Sequence, residues 1–527
     1  MKHSPFCLGR AAGSAALLVL FSSPLGGQQL KFSLAAAADN LQLGSGFAVL
    51  GDLNGDGIDD LAVADKAAGT DGLSASGAVY LVSGADGSFI GSHRGTPAQA
   101  QYFGVALATL DADGDGLPDL AVGAPGHDDG SGYGAGAVWI YSGAGGAVLS
   151  MVAGPPGSQY GSALANAGDQ DGDGRDDLFV GAPRGDGARG LVFVQSGADG
   201  STLASHALGG SLSAFGGTLA TLGDIDGDGR PELAAGAPGF QAGSTQAGRV
   251  FLVRSSDGGV EAEISGAGFY SRLGDSLATV SDTDGDGLAD LLVGSYSGGT
   301  ARLVSGADFS TLVDLGIADL PAFQPLVVGG GLDLDGDGVE DWLLGSPGLH
   351  FETSPPMGGV RVVSGADRSE LFHLGAGAPF TGLGTSHRVL PGFGFAAGAT
   401  SLVDDLSGGR GLAHFWQVET ADEVVDTDGD GVPDDEDAVP DSIMTPTVVV
   451  LGVNSRVENR VDDSGTTLAD RYAALGVPAD YARSAFYLLS STLLTLELWS
   501  DGLVSRSEAR RLMKASIYGF RRSLKAR

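Results

Sequence analysis

Six short stretches of the chain set carboxylates at alternate positions around glycines. The fullest, DADGDGLPD, carries Asp111, Asp113, Asp115 and Asp119 at positions 1, 3, 5 and 9. Alternating side chains on a glycine-rich turn aim several oxygens into one small volume, and the carbonyl of Leu117 at position 7 adds another. Hard oxygen ligands in that number suit Ca²⁺ better than Mg²⁺, which keeps more of its water. Gly116 at position 6 permits the sharp turn that wraps an ion. The same spacing gives Asp52, Asn54, Asp56 and Asp60 with Ile58; Asp169, Asp171, Asp173 and Asp177 with Arg175; and Asp224, Asp226, Asp228 and Glu232 with Arg230. It recurs as Asp282, Asp284, Asp286 and Asp290 with Leu288, and as Asp333, Asp335, Asp337 and Asp341 with Val339. Recurrence at one spacing sets calcium binding apart from ordinary Asp-Gly turns. The open question is whether the ion takes part in a reaction or holds a scaffold.

The elements around the loops favour a scaffold. Loop starts at Asp52, Asp111, Asp169, Asp224, Asp282 and Asp333 lie 59, 58, 55, 58 and 51 residues apart by subtraction. Such a period is long for a helical solenoid and fits a four-stranded unit. Within a unit an aromatic-Gly pair (Phe103-Gly104, Tyr160-Gly161, Phe215-Gly216, with Phe47 lacking the Gly) precedes the acidic loop. An apolar strand ending in Gly-Ala-Pro follows, then a variable loop, a second apolar strand, a turn of the SGADG type and a last short strand. Repeated four-stranded units predict a β-propeller.

Residues 386–418 keep strand-like runs without the loop and stop after a third strand, so QLKFSL near the chain start is expected to supply the fourth. That pairing would close a ring and remove its open edges. The expected fold is therefore mainly β, a seven-bladed propeller over 28–420, with six or eight blades as the alternatives.

Aromatic-Gly, an Asp-rich loop and Gly-Ala-Pro together resemble the FG-GAP repeat of the integrin alpha-chain propeller over roughly residues 29–418. The resemblance implies seven blades, calcium in hairpin loops on one face, and a ligand or partner bound by loops of the other. His127, Asp128, Tyr133, Phe240, His350 and Phe351 fall on that second set of loops, where blade packing is the alternative role for each. The tripeptide Arg184-Gly185-Asp186, which integrins recognise, also lies there, and in a chain this rich in Gly and Asp it can arise by coincidence.

DTDGDGVPDDEDAVPDS resembles a thrombospondin type 3 calcium repeat with Ala438 in place of its cysteine, which implies Asp426, Asp428, Asp430, Asp434 and Asp437 as ligands of a linker over 421–441. From 442 to 527 the acidic loops stop, arginine rises, and two runs read as helices, the second opening on the capping box Ser505 to Glu508. An α-helical C-terminal domain is expected, able to dock or self-associate.

A formal net charge of −36 excludes nucleic acid and anionic lipid as partners. The start, MKHSPFCLGR followed by AAGSAALLVLF, reads as a secretory signal over 1–27, too short to span a bilayer as a helix, and no later run is a convincing transmembrane segment. Cys7, the only cysteine, lies before the apolar run. The function expected is a secreted, calcium-binding adhesion or binding module with a protein or glycan ligand. The alternatives are a polysaccharide- or lipid-acting hydrolase or lyase, and a structural envelope or matrix component. The sequence carries no nucleophile elbow, His-Glu-x-x-His helix or dense histidine cluster, so no catalytic residue is assigned.

Overall fold

The computed structural model describes residues 42–375 except 70–74, 96–100, 129, 131–133, 243–244, 268–269, 297–298, 317–324, 336 and 348–357. It also describes 18–20, 28–35, 383–390, 394–399 and 412–418, and beyond them 447–450, 453–458 and residues 498, 509 and 512. The chain divides into two units, Met1–Thr420 and Ala421–Arg527.

The first unit is a β-propeller in which six four-stranded antiparallel blades follow one another along the chain. The second blade sets the pattern with Leu107–Leu110, Asp119–Ala124, Ala137–Tyr141 and Val148–Ala153, paired in chain order. Consecutive strands joined by tight turns need no crossover, which is why a period of four short strands suffices. Among the described residues only the fourth blade carries an insertion, the strand pair Gln241–Ala242 and Thr245–Gln246 after its Gly-Ala-Pro.

The second strand of each blade is apolar on both sides because both faces of the sheet are covered: Asp119–Ala124 and Asp177–Ala182 are buried throughout. Each apolar cluster takes one face from each of two successive blades. One joins Leu110, Val138 and Ile140 of the second to Tyr160, Leu178 and Val180 of the third, and another joins Phe179 and Val194 of the third to Phe215, Leu233 and Phe251 of the fourth.

The aromatic-Gly pair is the seam between blades. Phe103, Tyr160 and Phe215 are buried and form single bridges to Gly77, Gly136 and Gly190 of the preceding blade. In the fifth blade Leu273 does the same against Gly248, so the position requires a large apolar side chain, not an aromatic one. Glycine at the head of Gly-Ala-Pro is needed for close approach, since a Cβ on Gly123 would strike the carbonyl oxygen of Gly161 in the next blade. Phe47, without a following glycine, lies inside the first strand of the first blade, opposite Val63.

Gln28–Ala35 pairs antiparallel with Leu412–Val418, as expected from the unpartnered third strand. Their sheet runs in the order Leu18–Leu20, Gln28–Ala35, Leu412–Val418, Gly394–Ala399, Leu383–Leu390. Its Leu34, Ala396 and Ala413 share a core cluster with Leu43, Phe47 and Tyr80 of the first blade. Leu383–Leu390 lies against Val327–Leu332 of the sixth. The apolar run read as a signal thus contributes Leu18–Leu20 as the outermost strand of this sheet.

In the second unit the described part begins with a strand pair, Thr447–Val450 with Val453–Glu458, where a helical domain was expected. The β-branched run TVVV favours extended backbone over helix. Leu498, Ala509 and Leu512 are buried and helical. The rest of the expected helices, and Asp426, Asp428, Asp430, Asp434 and Asp437, lie outside the described residues.

Candidate metal centre

Each acidic loop joins the first and second strands of its blade and folds around its own carboxylates. The position 1 aspartate accepts from backbone N–H groups across the turn: Asp52 takes Gly55 at 2.6 Å and Gly57 at 2.7 Å. Position 3 accepts from position 5, as Asp113 from Asp115 at 3.1 Å. Position 5 accepts from position 7: Ile58 to Asp56, Leu117 to Asp115, Arg175 to Asp173, Arg230 to Asp228, Leu288 to Asp286 and Val339 to Asp337, all between 2.8 and 3.0 Å. Each carboxylate keeps lone pairs after these bonds, and a cation can use them.

Position 9 behaves differently. Its side chain is fully buried and bridges two turns of the blade. Asp60, Asp119, Asp177 and Asp341 each accept an N–H from position 2 of their own loop and another from the glycine of the SGADG-type turn. Those glycines are Gly84, Gly143, Gly197 and Gly365, and Gly306 serves Asp290 in the same way. The two motifs recur together because one carboxylate ties them, a link that spacing alone did not reveal.

The fourth blade departs from this. Glu232 replaces aspartate and Ser255 stands where the other five have glycine. Glu232 Oε1 and Ser255 Oγ are both buried with no hydrogen-bond partner.

Ligand oxygens lie within 4.8 Å of one another in five groups: Asp111, Asp113 and Asp115; Asp169, Asp171 and Asp177; Asp224, Asp226 and Glu232; Asp282, Asp284 and Asp290; Asp333, Asp335 and Asp341. The first loop, with Asn54 in the series, forms no such carboxylate trio, and there the Asn54 amide donates to Asp56 at 2.9 Å.

Burial pushes the Asp177 and Asp341 carboxyls up to about 6, with the like charges of Asp171 and Asp173, and of Asp335 and Asp333, adding to it. Asp60, Asp119 and Glu232 are raised from the same first cause, whereas backbone N–H groups hold Asp52 and Asp282 below the usual range. Clustered acids of which one is costly to ionise alone, together with an orphaned carboxylate oxygen, fit a hard divalent cation. Its charge would remove both penalties.

Neighbouring loops are also linked through position 8. Asp176 accepts from the backbone of Asp111, the first residue of the preceding loop, at 3.0 Å, and from Asn166 at 2.9 Å. Glu340 accepts from Ser281, just before the preceding loop, at 2.7 Å.

At the opposite strand ends, two of the candidate contact residues belong to blade packing. His127 is buried edge-on to Trp139 with Gln101 at 3.1 Å, and Phe240 lies under the Arg249 guanidinium, 4.0 Å from ring centroid to carbon, and against Phe251. Asp128 is half-buried and accepts from Gly130 at 2.8 Å. Tyr133, His350 and Phe351 lie outside the described residues. Arg184 and Asp186 are exposed on the turn Gly185–Ala188, where Asp186 meets Arg189 at 3.5 Å, a weak pair at that exposure.

A family model for the FG-GAP repeat matches residues 103–141 and 215–253. Integrin alpha-V of Gallus gallus is 36% identical over 222 residues, 39% of this chain and 21% of that protein. Integrin alpha-5 of Xenopus laevis is 31% identical over 213 residues, 36% of this chain and 20% of its own length. Integrin alpha pat-2 of Caenorhabditis briggsae is 31% identical over 232 residues, 38% and 18% respectively. The chain spans about a fifth of the length of these relatives. The chain thus carries FG-GAP repeats at 103–141 and 215–253 and is distantly similar, over part of its length, to integrin alpha chains. Among the described residues no helix is long and apolar enough to cross a membrane.

Proposed function

We propose that this FG-GAP propeller is an exported, calcium-stiffened binding module whose metal is structural and whose ligand, a protein or glycan, is met at the strand ends opposite the acidic loops. The observation that carries the structural role is the buried position 9 carboxylate, which spans the acidic loop and the neighbouring turn of one blade. An ion held there clamps the acidic loop to the neighbouring turn of its blade. The carbonyls of Ile58, Leu117, Arg175, Arg230, Leu288 and Val339 complete the ligand sets in this reading, and the first loop binds through Asn54. The sheet that joins both chain ends serves as a seventh blade, and loss of residues 1–27 on export leaves it with four strands like the others. The integrin alpha chains among the relatives favour binding and adhesion over a hydrolase or lyase.

Retention of the purified chain on immobilised glycans and matrix proteins, in calcium and in chelator, tests the reading. Calcium-dependent retention that survives Asp115→Ala, a change expected to remove one bound ion, supports it. Retention indifferent to chelator, or substrate turnover that Asp115→Ala abolishes while the fold persists, would overturn it. Calcium at about 1 mM and a Kd near 10⁻⁴ M stabilise by about 1.4 kcal/mol per site, so chelation should lower the melting temperature by more than about ten degrees.

A further inference from the structure

The outer strand of the second blade differs from its counterparts. Val148–Ala153 reads VLSMVA and bears no charge, while Phe89–Arg94, Thr202–His206, Val260–Ser265, Thr311–Gly316 and Glu370–Gly375 each carry at least one histidine or charged residue. Nothing pairs with its far side among the described residues, and Val148, Leu149 and Met151 are 56%, 38% and 42% exposed. Natural edge strands are guarded by charge, proline or a bulge that twists them away. This one has a register shift between Val148 and Ser150 but no charge.

A cavity of about 320 Å³ opens beside it, between the first and second blades, with Leu53, Ile90, His93, Leu120 and Tyr141 in its wall. His93 and Tyr141 stack at 3.8 Å there. Gly91 and Gly145 belong to its wall. Gly91 contributes no side chain to its wall, and Gly145 stands where the corresponding turns of the other five blades carry Asp86, Asp199, Asp257, Asp308 and Asp367. Val148 pairs directly with Tyr141 and follows Gly146 by two residues, and both of these belong to the cavity wall.

We infer that Val148–Ala153 is a docking edge for an extended peptide of a partner protein, which adds as a fifth strand and places one apolar or aromatic side chain in the cavity. Backbone pairing supplies affinity and the pocket supplies selectivity, as in other strand-addition sites. The occupant is basic beside its anchor. Leu53 belongs to the first acidic loop, where Asp59, outside the calcium-ligand set, is exposed, and the chain as a whole carries −36. The same charge opposes a second copy of this chain as the occupant. The site is at the blade rim, away from the ligand-binding strand ends proposed above, so either can fail without the other.

The test uses the full chain in calcium with a labelled peptide as long as Val148–Ala153, alternating Lys with Val and one central Phe, and its N-methylated form, read by fluorescence anisotropy. Gly145→Asp puts on the cavity wall the charged residue the other turns carry, and a Cβ there meets nothing within 4 Å, so the fold is expected to stand. Met151→Lys adds a charge to the edge. Binding of the plain peptide, weakened on the order of tenfold or more by N-methylation and by each variant at unchanged melting temperature, supports the inference. No binding, or binding indifferent to N-methylation and to both variants, overturns it. So does a dimer of the unliganded chain that Met151→Lys dissolves, because the edge then belongs to a second copy.

Discussion

At the scale of single residues, the carboxylates divide by what surrounds them. Backbone N–H donors around Asp52 and Asp282 hold those position 1 carboxyls below the usual range, whereas burial raises Asp60, Asp119, Asp177, Glu232 and Asp341 at position 9. Sequence spacing located these acidic positions, but it could not separate their two surroundings, because burial comes from the neighbouring turn and blade. Asp65 is a buried acid that spacing did not single out. It takes the place of Ala124 in the Gly-Ala-Pro pattern, accepts from the Gln42 backbone at 2.8 Å, and leaves Oδ2 with no partner. Burial pushes it up to about 6, against the backbone donors and the attraction of Arg94. A carboxyl whose folded value is raised gives stability that is whole below its unfolded value of 3.8 and is lost as pH rises through about 6. Asp65→Asn should therefore flatten the pH dependence between about 4 and 7 and stabilise the chain at pH 8, on the order of 2–3 kcal/mol. Denaturant melts at pH 5 and pH 8 check this; equal loss of stability at both would show that Asp65 acts through shape alone.

At the scale of strands and turns, the repeat was legible because each blade solves the same packing problem with the same residue classes. The less regular parts were harder to read. Leu273 does the work of Phe103 and Phe215, and a search for aromatics passes over it although Gly274 follows as in the other units. The carboxylate bridge from Asp176 to the Asp111 backbone joins residues 65 apart and leaves no local pattern. The short pair Gln241–Ala242 and Thr245–Gln246 has too few residues for any period to show. The C-terminal strand pair was missed because the helical pattern that follows it coloured the whole segment. What the seam contributes can be measured at Phe215, which is fully buried, bridges to Gly190 and packs edge-on to Phe251. Phe215→Ala should cost about 3–5 kcal/mol, and Phe215→Leu much less, since Leu273 already fills the equivalent seam. Similar losses for both would mean that the ring face, not the apolar volume, holds the blades together.

At the scale of the whole first unit, chain order and spatial order differ, among the described residues, in only one sheet, where residues about 380 apart in sequence are neighbours. The end pairing could be expected because a propeller cannot leave a third strand without a fourth; the alternation of QLKFSL alone would not have placed it. Its consequence is mechanical. Six blades are held to their neighbours by local clusters, but the last junction depends on a strand that must wait for the other end of the chain. A chain beginning after Ala35 lacks Leu34, part of the cluster formed with Leu43, Phe47, Ala396 and Ala413, and exposes the edge of Leu412–Val418. Unpaired edges invite association, so this chain should melt lower and self-associate, and a peptide of residues 28–35 added in trans should reverse both. A chain beginning at residue 28 loses, of the described residues, only the outer strand Leu18–Leu20 and should melt like the full chain. If instead the two shortened chains melted alike, the end pairing would contribute nothing to closure, and the first unit would be held by its six internal blades.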